Sequence, residues 1–114
     1  MKTNYLCGLF LLCVLVWGRS EAHAEKPLKT LDLYLCIGQS NMAGRGKLSP
    51  EVMDTLQNVY LLNADDQFEP AVNPLNRYST IGKGLSWQQV GPAYGFAKTM
   101  ATKKHPVGLI VNAR

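Results

Sequence analysis

The sequence predicts an α/β fold in which helices cover a parallel sheet of three strands. Apolar runs without polar alternation occupy residues 31–37, 59–62 and 107–111. A helical pattern lies between the second and third runs, beginning at Gly91. Strands that are apolar throughout are typical of sheets covered on both faces, and strands that alternate with helices usually run parallel. We therefore expect a sheet with helices on both sides.

The first 24 residues predict a signal peptide. Met1-Lys2 gives a basic start, residues 5–17 are apolar, and Ala22-His23-Ala24 is a small-x-small cleavage site. A retained transmembrane helix is the alternative, but the apolar run falls short of the roughly 20 residues that cross a bilayer. We expect cleavage after Ala24, a secreted or periplasmic protein, and no stable membrane insertion afterwards. Residues 25–30 are then a polar leader, and residues 31–114 form at most one small domain or part of one.

Composition excludes several classes of partner. The net charge is +4, and the basic residues are scattered apart from Lys103-Lys104, so no basic stripe with interleaved aromatic residues indicates nucleic-acid binding. No cluster of His, Cys and Asp has metal-ligand spacing, so we expect no metal. Cys36 is the one cysteine beyond the signal peptide. It has no intrachain disulfide partner there, and its apolar surroundings predict a packed, unreactive thiol.

The middle of the chain carries weaker signals. Ser49-Pro50-Glu51 predicts a helix start with Ser49 as the cap, and about two turns fit before Asn58. The strand at 59–62 is followed by a turn-forming cluster at 63–66. Residues 67–90 contain prolines and glycines without a period and predict a long ordered loop.

The helix that follows Gly91 is the best defined element of the sequence. Pro92 fits the first turn, and the apolar residues fall on one face at helical spacing: Ala93, Phe96, Ala97, Met100 and Ala101. Lys103 and Lys104 would complement the negative end of the helix dipole, and Pro106 would prevent continuation.

The segment GQSNMAGRGK, residues 38–47, allows three interpretations: a phosphate-binding loop, a catalytic serine turn, or an ordinary glycine-rich loop. A Walker loop would need glycine where Asn41 stands and a hydroxyl where Leu48 stands. A dinucleotide fingerprint would need glycine or alanine where Ser49 stands. Spacing therefore excludes both phosphate-binding motifs.

The serine turn fits better. Ser40 lies three residues beyond Ile37, at the carboxyl end of the first predicted strand, where open parallel sheets bind ligands. In α/β hydrolases a tight strand-to-helix turn exposes the nucleophile at this position. Met42 stands where the second glycine of that turn is usual, so a capping role for Ser40 is the alternative.

The stretch IGQSNMAGRG closely resembles the first block of the SGNH-hydrolase superfamily. The form is that of the sialate O-acetylesterase-like and acetyl-xylan-esterase-like carbohydrate esterases. The segments NADDQFEPAVNPLN, VGPAYGFAKTM and VGLIVNAR resemble later segments of the same family in the same order. This resemblance implies a three-layer sandwich with a flavodoxin-like parallel sheet, of which the chain is the N-terminal portion. It also implies a secreted serine esterase that removes O-acetyl groups from carbohydrates and needs no cofactor.

The resemblance assigns roles to individual residues. Ser40 is the nucleophile and its backbone N–H is one oxyanion donor, while Gly38, Gln39 and Asn41 shape the turn. In the family a second oxyanion donor follows the Ala-Arg pair that ends this chain, and an Asp-x-x-His block lies further on. We therefore expect the chain alone to be inactive. The alternative function is that of a non-catalytic truncated remnant or a weak glycan-binding fragment.

The remaining candidates near the site are less specific. His105 is expected at the opposite edge of the sheet, on the order of 16 Å from Ser40, and is interpreted as a residue at the helix C-terminus. Asp65-Asp66 could face the site, although adjacent carboxylates are typical of solvated turns. Tyr78 and Trp87 could line a sugar site or pack beneath the loop.

Overall fold

A four-stranded mixed sheet forms the centre of the computed structural model, which describes residues 30–81 and 88–114. Its strands are β1 (Asp32–Gly38), β2 (Val59–Leu62), β3 (Phe68–Pro70) and β4 (Val107–Ala113). The spatial order is β1-β4-β2-β3. β4 pairs in parallel with β1 on one side and with β2 on the other. The predicted α/β class with a largely parallel sheet is confirmed, and β4 extends two residues beyond the predicted strand.

β3 corrects the prediction that residues 67–90 form a loop and that the sheet has three strands. It pairs antiparallel with β2, from Leu62 opposite Phe68 to Tyr60 opposite Pro70. Three residues that include a glutamate and a proline carry no alternating apolar pattern, so local sequence does not reveal the strand. Proline is tolerated here because β3 is the last strand on its side of the described sheet.

One face of the sheet carries the apolar core. Val59 and Leu61 of β2 lie beside Val107 and Leu109 of β4, and all four side chains are almost completely buried. The helix α2 (Pro92–Met100) packs on this face through its buried Ala93 and Ala97. Small side chains at these two positions let the helix approach the sheet closely.

The predicted apolar face of α2 is only partly buried. Phe96 and Met100 remain exposed, although the Phe96 ring packs edge-on against Tyr34 with a centroid separation of 4.8 Å. The helix ends at Met100, so Lys98 is its last-turn cation. The predicted interaction of Lys103 and Lys104 with the helix dipole is therefore wrong, because both residues lie beyond the final turn.

The helix predicted before Asn58 is reduced to a single 3-10 turn, Pro50–Val52. Proline occupies the first turn as predicted, but the Ser49 side chain makes no capping hydrogen bond to the backbone. The backbone N–H of Leu56 donates instead to the Ala71 carbonyl at 2.9 Å. A tertiary hydrogen bond thus replaces the i to i−4 bond that would have extended the helix.

The opposite face of the sheet is open within the described residues, so the predicted cover on this side is not seen among them. Leu33, Leu35 and Ile37 of β1 are 58%, 63% and 63% exposed. Gly108 lies beneath this surface, where an added Cβ would stand 2.6 Å from Leu33 Cδ2 and 3.2 Å from Phe68 Cε1. Glycine therefore lets side chains from two strands meet across β4.

In residues 30–81 and 88–114, no helix is long and apolar enough to cross a bilayer. The predicted signal peptide, residues 1–24, lies outside the part of the chain that the structure describes.

Candidate active site

Ser40 is exposed on a tight turn at the carboxyl end of β1. Gly38 ends the strand, Gln39 has extended backbone angles, and Ser40 begins the four-residue helix α1 (Ser40–Ala43). The turn is closed by two backbone bonds, from Ala43 N–H to the Gln39 carbonyl at 3.0 Å and from Gly44 N–H to the Ser40 carbonyl at 3.1 Å. The strand-to-helix turn predicted around Ser40 is therefore present.

The loop after Ser40 is held against the segment that leads into α2. Gly44 has a φ of +113°, and a Cβ on it would lie 2.2 Å from the Gln89 carbonyl oxygen. Gly46 and Val90 exchange two backbone hydrogen bonds at 2.9 Å. A Cβ on Gly91 would lie 2.6 Å from the Met42 carbonyl oxygen. The glycines of this segment thus permit close backbone packing, which explains the glycine-rich composition without a phosphate ligand.

The end of β4 lies directly beside the serine turn and is secured by a buried asparagine. Ala113 is in register with Gly38, and the Arg114 N–H donates to the Gly38 carbonyl at 3.1 Å. Asn76 accepts a hydrogen bond from the Ala113 N–H at 2.9 Å and donates to the Ala113 carbonyl at 3.0 Å. β2 pairs with β4 only as far as Leu109. The Asn76 side-chain amide therefore makes the backbone hydrogen bonds at Ala113 that a neighbouring strand would otherwise make.

A cavity of about 540 Å³ lies at the segment that contains Asn76. Its lining combines apolar and polar side chains: Leu48, Met53, Asn73, Pro74, Arg77, Tyr78 and Gln88. Asn73 is 1% and Gln88 4% exposed. The side-chain oxygens of both, Asn73 Oδ1 and Gln88 Oε1, are buried without a hydrogen-bond partner.

The Arg77 guanidinium holds the backbone of this segment together. Its Nε donates to the Pro74 carbonyl at 3.1 Å, and one Nη donates to the Val72 and Asn73 carbonyls at 2.9 and 2.6 Å. These three bonds fold the chain around a positive charge. The Arg77 guanidinium therefore links three backbone carbonyls on one side of the cavity.

Tyr78 makes a strong hydrogen bond at the edge of this region. Its hydroxyl donates to Glu69 Oε1 at 2.6 Å, and Asn63 Nδ2 donates to Glu69 Oε2 at 3.1 Å. The hydrogen bond from Tyr78, followed by that from Asn63, lowers the pKa of Glu69 below its ordinary value. The same bond raises the pKa of Tyr78. Tyr78 packs against the core, as one of its two predicted alternatives requires, and it also lines the cavity.

His105 lies at the opposite edge of the sheet from Ser40. Its Nδ1 is 3.3 Å from Asp32 Oδ2, at the first residue of β1, whereas Ser40 follows the last residue of that strand. A seven-residue strand separates the two by about 20 Å. The interpretation of His105 as a helix C-terminal residue is wrong, because α2 ends five residues earlier, but its separation from the serine is confirmed.

The other candidate residues lie in an exposed turn, in the core or outside the described residues. Asp65 and Asp66 are exposed in the turn of the β2–β3 hairpin, where Asn63 Oδ1 accepts the backbone N–H of Asp65 at 3.0 Å. Cys36 is a buried free thiol whose pKa is raised by desolvation. Among the described residues no group of three or more His, Cys, Asp or Glu could hold a metal ion. Trp87 lies outside the described residues.

Sequence reasoning missed the buried amides Asn73, Asn76 and Gln88. Polar residues within a stretch that contains Pro70 and Pro74 predict a solvated loop, and their partners are as far as 37 residues away. One usable signal was the pair of asparagines around proline in NPLN, because asparagine side chains commonly bind nearby backbone groups.

Comparison with known proteins agrees with this architecture. A crystal structure of a protein from Arabidopsis thaliana is similar, with a TM-score of 0.58 and 28% sequence identity over 71% of this chain. The chain spans 39% of the length of that protein. A search of curated proteins finds no significant match. A family model described as carbohydrate esterase, sialic acid-specific acetylesterase, matches residues 30–114. The chain therefore belongs to this family of carbohydrate esterases.

Proposed function

We propose that the chain contributes the nucleophile of a secreted carbohydrate O-acetylesterase, and that Ser40 is that nucleophile. The observation that carries the proposal is the position of Ser40, exposed on a tight turn at the carboxyl end of a parallel strand, within the region matched by the esterase family. The predicted signal peptide supports secretion, because enzymes acting on extracellular or lysosomal glycans must leave the cytosol.

The proposed reaction proceeds in two steps. The Ser40 Oγ attacks the acetyl carbonyl carbon, its proton passes to a general base, and the bond from that carbon to the sugar oxygen breaks. The sugar leaves as an alcohol after taking up a proton, and water then hydrolyses the acetyl-serine to acetate. The Ser40 backbone N–H is proposed to stabilise the oxyanion that forms in both steps.

In residues 30–81 and 88–114, no histidine is placed to act as the general base for Ser40. His105 is the only histidine in that part of the chain, and its pairing with Asp32 at the far edge of the sheet keeps it out of hydrogen-bond reach. Gly38, Gln39 and Asn41 have the proposed role of shaping the turn. No cofactor is required, since acyl transfer to serine and hydrolysis use only protein groups and water.

A fluorophosphonate probe tests the nucleophile directly. We expect the probe to label Ser40 in a full-length version that includes the family's Asp-x-x-His block, as read by mass spectrometry of the labelled peptide, and Ser40→Ala to abolish labelling. Ser49→Ala is the matched control, because it removes a serine from the same loop and should leave labelling intact. Labelling of another serine, or none at Ser40, would refute the assignment.

A second candidate is a non-catalytic chain that binds glycans weakly. The absence of a base near Ser40 in the described residues favours it. Hydrolysis of p-nitrophenyl acetate distinguishes the two candidates, because a rate that Ser40→Ala abolishes would contradict a purely binding role. A rate equal in both forms would support that role.

A further inference from the structure

A second cavity, of about 620 Å³, lies at the edge of the sheet opposite Ser40. Its lining comes from the segments that precede β1, β2 and β4, and consists of Thr30, Gln57, Asn58, Lys103, Lys104 and Pro106. The first residues of these strands are in register, with Asp32 and Val59 both opposite Val107. Ser40 follows the other end of β1, so this cavity is separate from the candidate active site.

Backbone hydrogen bonds connect the walls of this cavity. The Val107 N–H donates to the Asn58 carbonyl at 2.9 Å, and the Asp32 N–H donates to the Pro106 carbonyl at 2.8 Å. These bonds join the segment before β4 to the segments before β2 and β1. The lining segments are thus held together without a ligand, so binding does not require the backbone to be ordered first.

The charge of the lining is positive. Lys103 and Lys104 lie in a turn that is closed by two hydrogen bonds at 3.0 Å, from the Thr102 N–H to the His105 carbonyl and from the His105 N–H to Thr102 Oγ1. Among the described residues, neither ammonium group is paired with a carboxylate, and no carboxylate lines the cavity. The Asp32 carboxylate lies 3.3 Å from His105 Nδ1 instead. Two neighbouring positive charges repel each other, and an anion bound at both removes that repulsion.

The neutral part of the lining indicates what carries the anionic group. Thr30, Gln57 and Asn58 have hydroxyl and amide groups that both donate and accept hydrogen bonds, as the hydroxyls of a sugar require. No aromatic side chain of the described residues lines the cavity, so nothing there would stack on a nucleotide base. The volume lies within the ordinary range of small-molecule sites and leaves room for more than an inorganic ion.

We infer that this cavity binds an acidic saccharide, with Lys103 and Lys104 on its carboxylate or sulfate group and Gln57 and Asn58 on its hydroxyls. The inference goes beyond the proposed function and does not depend on it, because no residue of the serine turn lines the cavity. An acidic glycan chain bound there is anchored about 20 Å from Ser40, the length of the seven-residue strand β1.

The test is an amide NMR titration of the full chain at physiological ionic strength. Lactose 3′-sulfate, digalacturonic acid, lactose and inorganic sulfate are added in separate series. We expect at least one of the two acidic sugars to shift the signals of residues 57–58 and 102–107 in a saturable manner. Lactose lacks the charge and inorganic sulfate lacks the sugar, so each should bind at least about tenfold more weakly.

Two double variants place the binding at the lysine turn. Lys103→Gln combined with Lys104→Gln should weaken binding of the acidic sugar by about tenfold or more, because both charged contacts are lost. Lys47→Gln combined with Lys98→Gln removes the same total charge from other parts of the surface and should bind like the parent. Lys47, Lys98, Lys103 and Lys104 are all exposed, so both double variants should fold.

A second pair of variants tests the cavity itself. Gln57→Glu adds a carboxylate to the lining and should weaken binding of the acidic sugar, because the new charge repels the ligand. Gln67→Glu makes the same change in the exposed turn between β2 and β3 and should bind like the parent.

Four results would overturn the inference. The first is no saturable shift with either acidic sugar, and the second is binding of inorganic sulfate as tight as that of the sugars, which would mean an adventitious ion only. The third is an equal effect of the two double-lysine variants, which would mean unspecific charge attraction. The fourth is loss of binding in a folded Ser40→Ala variant, which would place the sugar at the serine turn. The fluorophosphonate experiment is independent of all four.

Discussion

Asn76→Ala tests whether one buried amide secures the strand beside the nucleophile. The substitution removes two hydrogen bonds, to the N–H and the carbonyl of Ala113, at a site that is 1% exposed. Ser79 Oγ lies 2.9 Å from the same carbonyl and 2.9 Å from Asn112 Oδ1 and can give its one proton to either, so the carbonyl keeps an alternative donor and the N–H is the group left unpaired. A lost bond is worth about 1 kcal/mol and an orphaned buried donor costs about 1–3 kcal/mol, so the free energy of unfolding should fall by about 2–4 kcal/mol.

Asn63→Ala is the matched control for this prediction. Asn63 Oδ1 accepts the backbone N–H groups of Asp65 and Gln67, both at 3.0 Å, and Asn63 Nδ2 donates to Glu69 Oε2 at 3.1 Å, at a turn that is open to water. Water can replace those bonds, so we expect a loss of about 1 kcal/mol or less. Urea unfolding followed by circular dichroism gives both values. Equal losses in the two variants, or a smaller loss for Asn76→Ala, would refute the argument from burial.

Three further predictions follow from local geometry. Gly44→Ala should destabilise the fold by about 3 kcal/mol or more, because the φ of Gly44 is +113° and an added Cβ would meet the Gln89 carbonyl. Gly95→Ala, in open space on α2, should instead stabilise the fold by about 0.5–1 kcal/mol. A thermal unfolding experiment that ranks the two variants in the other order would contradict this prediction. Tyr78→Phe should raise the pKa of Glu69 in an NMR titration, because the largest cause of its lowering is lost. Because the folded-state pKa of Glu69 lies below the ordinary 4.5, this hydrogen bond stabilises the fold above pH 4.5, and its contribution is lost as the pH falls through the folded-state pKa. An unchanged Glu69 pKa in Tyr78→Phe would disprove the role of this hydrogen bond. His105→Gln should cost less than about 1 kcal/mol, since the ion pair is exposed, and should leave fluorophosphonate labelling intact; lost labelling in a folded variant would reinstate His105 as the base.

The sequence predicted those parts of the fold that local apolar runs encode. β1, β2 and β4 each contain a continuous apolar stretch, and α2 begins at the expected proline. β3 was missed because Phe68-Glu69-Pro70 has no such stretch and depends on pairing with β2.

The candidate site shows a similar division. Ser40 was found because the turn residues are adjacent in sequence and follow an apolar strand. Asn73, Asn76 and Gln88 were missed because their importance lies in burial and in partners from distant segments, such as Val52 and Ala113. Local composition cannot distinguish a buried amide from a solvated one.

The open face of β1 has a consequence for any experiment in solution. β1 lies at one end of the described sheet, so Leu33, Leu35 and Ile37 present apolar side chains next to an unpaired backbone edge. Exposed apolar side chains and unpaired backbone groups on one strand together favour pairing between molecules. Association through these residues should therefore grow with concentration. Unfolding and binding constants are comparable only when measured in dilute protein, with the monomer verified by sedimentation.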